Sequence, residues 1–216
     1  MKCRYGIQFA KNKMYRPDAE NLFIAFTKRK HFEPKHIPHY YLWDTEFNRI
    51  DTPEKYSTHL DDVVKSGIKI VCQTDFSCWF HYEAQRQENI VKNWEYFRIA
   101  HEKGLEVYIN FNTIWLDRFD FYDKYFKMIN YSCETVIYDY NHREKDYIQF
   151  ELKTFAKLIN KVRFKNLVCF TGKRDHRAYM PMFNRLRERG IHIIILPTEM
   201  RLLQFLSRTV YQKDRV

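Results

Sequence analysis

The chain has 216 residues, of which 45% are apolar and 18% aromatic, so it is long and apolar enough for one domain with a substantial core. Five glycines and six prolines exclude a collagen-like or disordered chain, and no apolar run is long enough for a spanning helix. The net charge of +10 combines a basic start (+6, residues 1–35), an acidic middle (−6, residues 36–142) and a basic end (+10, residues 143–216), and basic flanks of this kind predict a polyanion partner such as nucleic acid.

The start of the chain, MKCRYGIQFAKNK, lacks the apolar core of a signal peptide, so we expect a cytoplasmic protein. Five widely spaced cysteines without a CxxC pair argue against a disulfide scaffold or a cysteine zinc site. We expect residues 1–35 to form a basic N-terminal extension or flap, in which LFIAF at 22–26 has the composition of a strand.

Residues 36–216 are predicted to form a single α/β domain, because β-branched apolar runs alternate with segments of helical period. The predicted strands are 38–44, 68–74, 105–111, 135–140, 167–171 and 191–196. The predicted helices are 53–66, 83–103, 118–130, 147–163, 178–189 and 200–211. Six units of this kind with short connections predict a parallel sheet covered by helices. It would form an incomplete or irregular (β/α) barrel or, alternatively, an open doubly wound sheet.

Local signals support the predicted boundaries. Thr52 and Pro53 have the order of an N-cap followed by a first-turn proline. Gly67, Gly104 and Gly190 each follow a predicted helix, where a glycine in the left-handed conformation ends the helix. Within helix 83–103 one face is predicted to pack in the core, and its residues are Ala84, Gln87, Val91, Trp94 and Phe97.

Polar side chains follow the predicted strands, at the edge where parallel α/β folds bind ligands. The candidate catalytic residues are Asp44, Asp75, Ser77, Asn112 and Asp139, and Glu199 ends the last strand in the same way. Carboxylates grouped at such an edge act as acid and base or bind a divalent cation. The alternative interpretation is that these residues only end strands and cap the helices that follow.

Two basic stretches are candidate phosphate-binding sites. Lys173, Arg174 and Arg177 follow a glycine at a predicted helix start, although the spacing is not that of a P-loop. The second stretch can track a polynucleotide backbone, together with three arginines between 185 and 189. Its residues are Lys157, Lys161, Arg163 and Lys165. For both stretches a solvated basic surface is the alternative. No histidine or cysteine pattern predicts a metal site, and hydrolase and dinucleotide-binding motifs are absent.

An ordered set of short motifs covers about residues 38–198. The motifs are YLWDTEF at 41–47, PEKY at 53–56, TDFS at 74–77, Asn89, GLEV at 104–107 and FTG at 170–172. In this order they resemble the domain-of-unknown-function family number forty-four seventeen, which occurs in bacteria, phages and mobile elements. The chain departs from the family pattern before Asp75, at Trp94 and after residue 109. The resemblance implies a phage or mobile-element protein that works inside a bacterial or phage-infected cell, and it brings no established activity.

Three hypotheses for function follow. In the first, the protein associates with nucleic acid through its basic C-terminal third. In the second, it is a barrel-like enzyme acting on a phosphorylated or nucleotide substrate, with Asp75 and Asp139 as acid/base groups or metal ligands and Lys173 and Arg174 as phosphate ligands. In the third, it is a host-takeover factor that binds a host protein and performs no chemistry.

Overall fold

The structure is a computed structural model that describes residues 23–40, 47–76, 83–111, 135–139, 153–157, 164–170 and 179–196. The predicted helices 118–130 and 200–211 lie outside these residues. Of the predicted helix 147–163, the described part is the helical segment 153–157.

Five parallel strands form the central sheet, in the order β3-β4-β5-β6-β7 along the chain. The bounds of these strands are Ile70–Cys72 (β3), Glu106–Asn110 (β4), Thr135–Asp139 (β5), Asn166–Phe170 (β6) and His192–Leu196 (β7). Two shorter parallel strands, Phe23–Ala25 (β1) and Ile37–His39 (β2), form a separate ladder. No ladder among the described residues closes the sheet into a barrel. The fold is therefore an irregular open α/β fold.

Described helices lie between β2 and β3, between β3 and β4, and between β6 and β7, as the alternating pattern predicts. The described helices are Pro53–Lys65 (α1), Glu83–Glu102 (α2) and Met180–Glu188 (α3), and short 3-10 helices occupy Phe26–His31 and Phe47–Ile50. Helix α1 begins as predicted, with the Thr52 side chain accepting a hydrogen bond of 3.3 Å from the Lys55 N–H. The three predicted helix-ending glycines all have positive φ values.

Both faces of the sheet are buried, which explains why its strands are almost continuously apolar. On one face, side chains such as Val71, Val107 and Leu167 pack with the helices in the larger core. On the other face, Ile70, Tyr108 and several residues at alternate strand positions pack with side chains from β1 and β2. Side chains from all seven strands meet in this second cluster, whose members are Phe23, Ile37, Ile70, Cys72, Tyr108, Ile137, Val168, Phe170, Ile194 and Leu196.

Side chains of β1 and β2 reach as far as β6 across one face of the central sheet. The chain beyond β2 runs beside the edge strand, because the Asp75 N–H donates a hydrogen bond of 3.2 Å to the Tyr40 carbonyl. Yet the rings of Phe23 and His39 lie 5.1 and 5.4 Å from the ring of Phe170 on β6. In a flat sheet, the three spacings between β3 and β6 alone would separate those strands by roughly 14 Å. Strands β1 and β2 therefore pack across the face of the sheet that contains Phe170, and not only beside its β3 edge.

The predicted core face of α2 is only partly correct: Trp94 and Phe97 are buried as predicted, but the other three residues are exposed. Val91 is 43% exposed, and the two earlier residues of that predicted face, Ala84 and Gln87, are exposed as well. The face that packs on the sheet contains two buried amides among its apolar residues, Asn89 and Asn93.

Along the described part of the chain, no helix combines the length and the apolar character needed to cross a membrane.

Candidate functional site

Residues 73–76 leave the carboxyl end of β3 and are held by the strands on either side. The Gln73 N–H donates to the Tyr108 carbonyl of β4 at 2.8 Å, which extends the ladder by one position beyond Cys72. The Asp75 N–H turns the other way and donates to the Tyr40 carbonyl at 3.2 Å. The backbone at this strand end is therefore fixed from two directions.

Helix α2 holds the same segment from a third direction through Asn93, a residue with no solvent exposure. Its side-chain oxygen accepts hydrogen bonds from the Thr74 hydroxyl (3.1 Å) and the Phe76 N–H (2.8 Å). Its side-chain nitrogen donates to the Phe76 carbonyl at 2.8 Å. One amide side chain thus binds both neighbours of Asp75, and it satisfies polar groups whose burial without a partner would be costly.

Gln73 connects this arrangement to the next strand. Its side-chain nitrogen donates to the Asn93 carbonyl at 3.2 Å, and its side-chain oxygen accepts a hydrogen bond of 3.1 Å from the Asn110 N–H. Gln73, Asn93 and Asn110 are all buried. Buried amides joined in this way have few alternative arrangements, so the strand end is rigid.

The Asp75 carboxyl lies near His39 of β2 and Asn110 of β4. The residue keeps partial contact with solvent, whereas His39 and Asn110 are buried. Burial raises the pKa of Asp75 from its ordinary value of 3.8 to about 6, while the electrostatic interaction with His39 and a hydrogen bond with the Asn110 side chain favour the ionised form. Loss of hydration outweighs the two favourable contacts. A carboxyl with this pKa is mostly ionised at pH 7 and exchanges protons readily near neutrality.

Aromatic rings surround His39, the histidine that interacts with this carboxyl. His39 contacts the rings of Phe23 and Phe170, with ring centroids 6.4 and 5.4 Å away, and all three residues are buried. An apolar surrounding of this kind strengthens electrostatic interactions, because little water remains to screen them. It also accounts for the direction of the change in the Asp75 pKa.

The remaining predicted catalytic residues are only partly covered by the structure. Asp139 is the last residue of β5 and pairs in register with Phe170, so its backbone lies at the same edge of the sheet as the end of β3. Asp44, Ser77 and Asn112 lie outside the described residues, as does Glu199.

The two described members of the predicted phosphate-binding set do not lie with Asp75. Lys165 is exposed and directly precedes β6, where its carbonyl accepts a hydrogen bond of 2.8 Å from the His192 N–H of β7. This is the amino edge of the parallel sheet, opposite the edge at which β3 ends. Lys157 is exposed in the helical segment 153–157. The other members, Lys161, Arg163, Lys173, Arg174 and Arg177, lie outside the described residues.

Sequence reasoning missed the residues that surround Asp75. Signals existed for two of them, because His39 follows Ile37 and Asn110 follows Tyr108 by two residues, so that both continue the inward-facing alternation of their strands. Gln73 and Asn93 had no comparable signal, because their roles depend on which helix packs beside the end of β3.

The described residues contain no group of three or more histidine, cysteine or acidic side chains placed to hold a metal ion. Comparison with known proteins adds no relative: no protein-family model, curated protein or solved structure matches the chain. The resemblance to family forty-four seventeen accordingly stays a prediction from the quoted motifs.

Proposed function

We propose that the chain is an enzyme that uses Asp75 as its proton-transferring group and acts on a phosphorylated or nucleotide substrate. The observation that carries this proposal is the Asp75 carboxyl itself, which has a pKa of about 6 and stands beside His39 and Asn110 at the carboxyl end of a parallel strand. Ligands of parallel α/β folds bind at this edge, and acid–base catalysis is most effective when the pKa lies near the working pH.

Each group has a role that follows from its contacts. Asp75 in its ionised form accepts a proton from a substrate hydroxyl or from water, and returns it to the leaving group. His39 stabilises the ionised carboxylate through its charge, and the Asn110 amide holds the carboxylate by a hydrogen bond. The rigid backbone of residues 73–76 keeps the carboxyl in one position, which favours a reaction that depends on alignment.

The substrate class rests on the basic residues that follow β6. Lys173 and Arg174 come soon after Phe170 in the sequence, and the Phe170 ring contacts His39 at 5.4 Å. Phe170, the last residue of β6, therefore lies next to the site, and the cationic residues that soon follow it in the sequence suit a phosphate group on the substrate. Asp139, the last residue of β5, is the candidate second acid at this edge.

The test is a turnover screen with phosphate monoesters, phosphodiesters and nucleotides, with and without added divalent cations. The variant Asp75→Asn keeps the size of the side chain and is expected to lose turnover while remaining folded. Asp62→Asn is the matched control, because Asp62 is an exposed acid on α1 whose ion-pair partner is the exposed Lys65. We expect wild-type activity to fall below about pH 6, as Asp75 becomes protonated. Wild-type protein inert toward the whole panel, or full activity in Asp75→Asn, contradicts the proposal.

A second candidate function is association with polynucleotides, and the charge at the amino edge of the sheet favours it. The amino-edge basic group consists of Lys165, Arg185, Arg187 and Arg189. All four side chains are exposed; Lys165 directly precedes β6, and Arg189 lies three residues before the start of the neighbouring β7. Arginine forms bidentate hydrogen bonds with phosphate, and release of counterions makes such binding strongly dependent on salt.

Fluorescence anisotropy with single- and double-stranded oligonucleotides across a salt series tests this second function. The double variant Arg185→Ala/Arg187→Ala is expected to weaken binding and to flatten the salt dependence. Lys55→Ala/Arg98→Ala removes the same charge from exposed positions on α1 and α2 and is the matched control. No binding at low salt, or an equal loss in both double variants, means that the amino-edge basic group does not bind polynucleotides specifically.

A further inference from the structure

We propose that Asn93 of α2 is the positioning residue of Asp75: its side-chain amide fixes residues 74–76 so that the carboxyl between them faces His39 and Asn110. The inference rests on the proposed function for its catalytic meaning. It concerns a residue that lies on a helix, 18 positions after Asp75 in the sequence.

Both polar atoms of the Asn93 side chain form hydrogen bonds with the residues next to Asp75. The oxygen accepts from the Thr74 hydroxyl and the Phe76 N–H, and the nitrogen donates to the Phe76 carbonyl, with distances of 3.1, 2.8 and 2.8 Å. Asn93 also provides its backbone carbonyl, which accepts a hydrogen bond of 3.2 Å from the Gln73 side chain. The residues before and after Asp75 are thus bound to one buried side chain.

As a result, the side chains of Thr74 and Phe76 face a different direction from the side chain of Asp75. Thr74 and Phe76 face α2, where the Phe76 ring packs on Tyr96 with centroids 5.2 Å apart. The Asp75 side chain instead interacts with His39 of β2 and Asn110 of β4, away from α2. Its N–H donates a hydrogen bond to the carbonyl of Tyr40, the residue that follows β2.

A residue that only stabilised the fold would leave the pKa of Asp75 unchanged, whereas a positioning residue would alter it. This difference makes the inference testable. The group that acts electrostatically on the carboxyl is His39 from β2, and β4 contributes the uncharged Asn110. Helix α2 contributes the uncharged Asn93 and also Lys92, whose ammonium lies 4.2 Å from the centre of the neighbouring Phe76 ring. Since Asn93 carries no charge, it acts on Asp75 only through position.

The experiment follows the Asp75 side-chain carboxyl by NMR, in protein labelled with ¹³C-aspartate, over a pH titration. The signal is assigned with Asp75→Asn. In wild-type protein we expect a midpoint near pH 6. In Asn93→Ala the segment is released and the carboxyl gains water, so the midpoint moves down toward the ordinary value of 3.8. An unchanged midpoint, or an upward shift, in folded Asn93→Ala overturns the inference.

A matched pair at Thr74 keeps the inference testable if Asn93→Ala does not fold. Thr74→Val removes the hydroxyl that donates a hydrogen bond to Asn93 and keeps the shape of the side chain. We therefore expect the titration midpoint of Asp75 to move down by less than it does in Asn93→Ala. Thr74→Ser retains the hydroxyl and is expected to restore the wild-type midpoint. Identical titrations in Thr74→Val and Thr74→Ser contradict the inference. Because the titration needs no turnover, a shifted midpoint in an inert protein refutes the proposed function and supports the role of Asn93.

Discussion

Replacing Asp75 with asparagine is expected to stabilise the chain at neutral pH, although the same change removes the proposed catalytic group. Asparagine has nearly the size of aspartate and keeps a polar side chain beside Asn110. It carries no charge at any pH, so the cost of burying an ionised carboxylate disappears. Residues selected for chemistry are often held in environments that destabilise the fold, and the Asp75 site has that property.

The magnitude follows from the pKa. Between pH 3.8 and about 6 the folded chain binds the Asp75 proton more tightly than the unfolded chain does, so stability falls as the pH rises through that range. Above pH 7 the accumulated loss is about 3 kcal/mol, since one pKa unit corresponds to about 1.4 kcal/mol. The contributions of His39 and Asn110 are already contained in this value.

Urea unfolding of wild-type protein and Asp75→Asn at a series of pH values between 4 and 8 measures the effect. The free energies of unfolding should nearly coincide at pH 4 and should differ by up to about 3 kcal/mol at pH 7.5, with the variant more stable. Taking the difference between the two proteins cancels every other group that titrates independently in the same range.

Two pH-independent stability curves, or a constant offset between wild type and variant, would refute the reasoning. Glu88→Gln is the control, because Glu88 is an exposed acid on α2. Its difference from wild type should stay within about 0.5 kcal/mol at every pH, as for most surface substitutions.

Two further predictions concern a histidine and a pair of glycines. Burial lowers the pKa of His59 to about 4, and its Nε2 lies 3.0 Å from the Tyr40 hydroxyl, so stability should fall by up to about 3 kcal/mol as the pH drops from 6.5 to 4. His59→Gln should lack this slope in urea unfolding, and an unchanged slope would exclude the assignment. Gly67→Ala should lower the free energy of unfolding by more than the roughly 1–2 kcal/mol that a non-glycine residue loses in the left-handed conformation, because the new Cβ would lie 3.1 Å from Pro34 Cγ. In Gly104→Ala the new Cβ meets no atom within 4 Å, so only the left-handed backbone conformation should lower the stability. Equal thermal destabilisation of both variants would count against this argument.

The position of Asp75 could be predicted from the sequence, whereas its surroundings could not. Asp75 comes shortly after a buried apolar run, where a strand of a parallel fold ends, so its place at a strand end could be predicted without coordinates. His39, however, reaches Asp75 only because β2 lies beside β3. The exposed Val91 and the buried Asn93 could not be predicted from the sequence either. Apolar periodicity does not identify an amide side chain that is buried because it binds a loop.

The sequence alone determined the alternation of strands and helices, the parallel sheet and the three glycines that end helices. These features are local, because they depend on side-chain period and on the backbone conformations that each residue allows. Tertiary structure alone decided that the sheet formed by the described strands stays open and which strands meet across its face, as the contacts of Phe170 with Phe23 and His39 show. Those features depend on strand order and on packing between distant segments, and no local pattern in the chain specifies them.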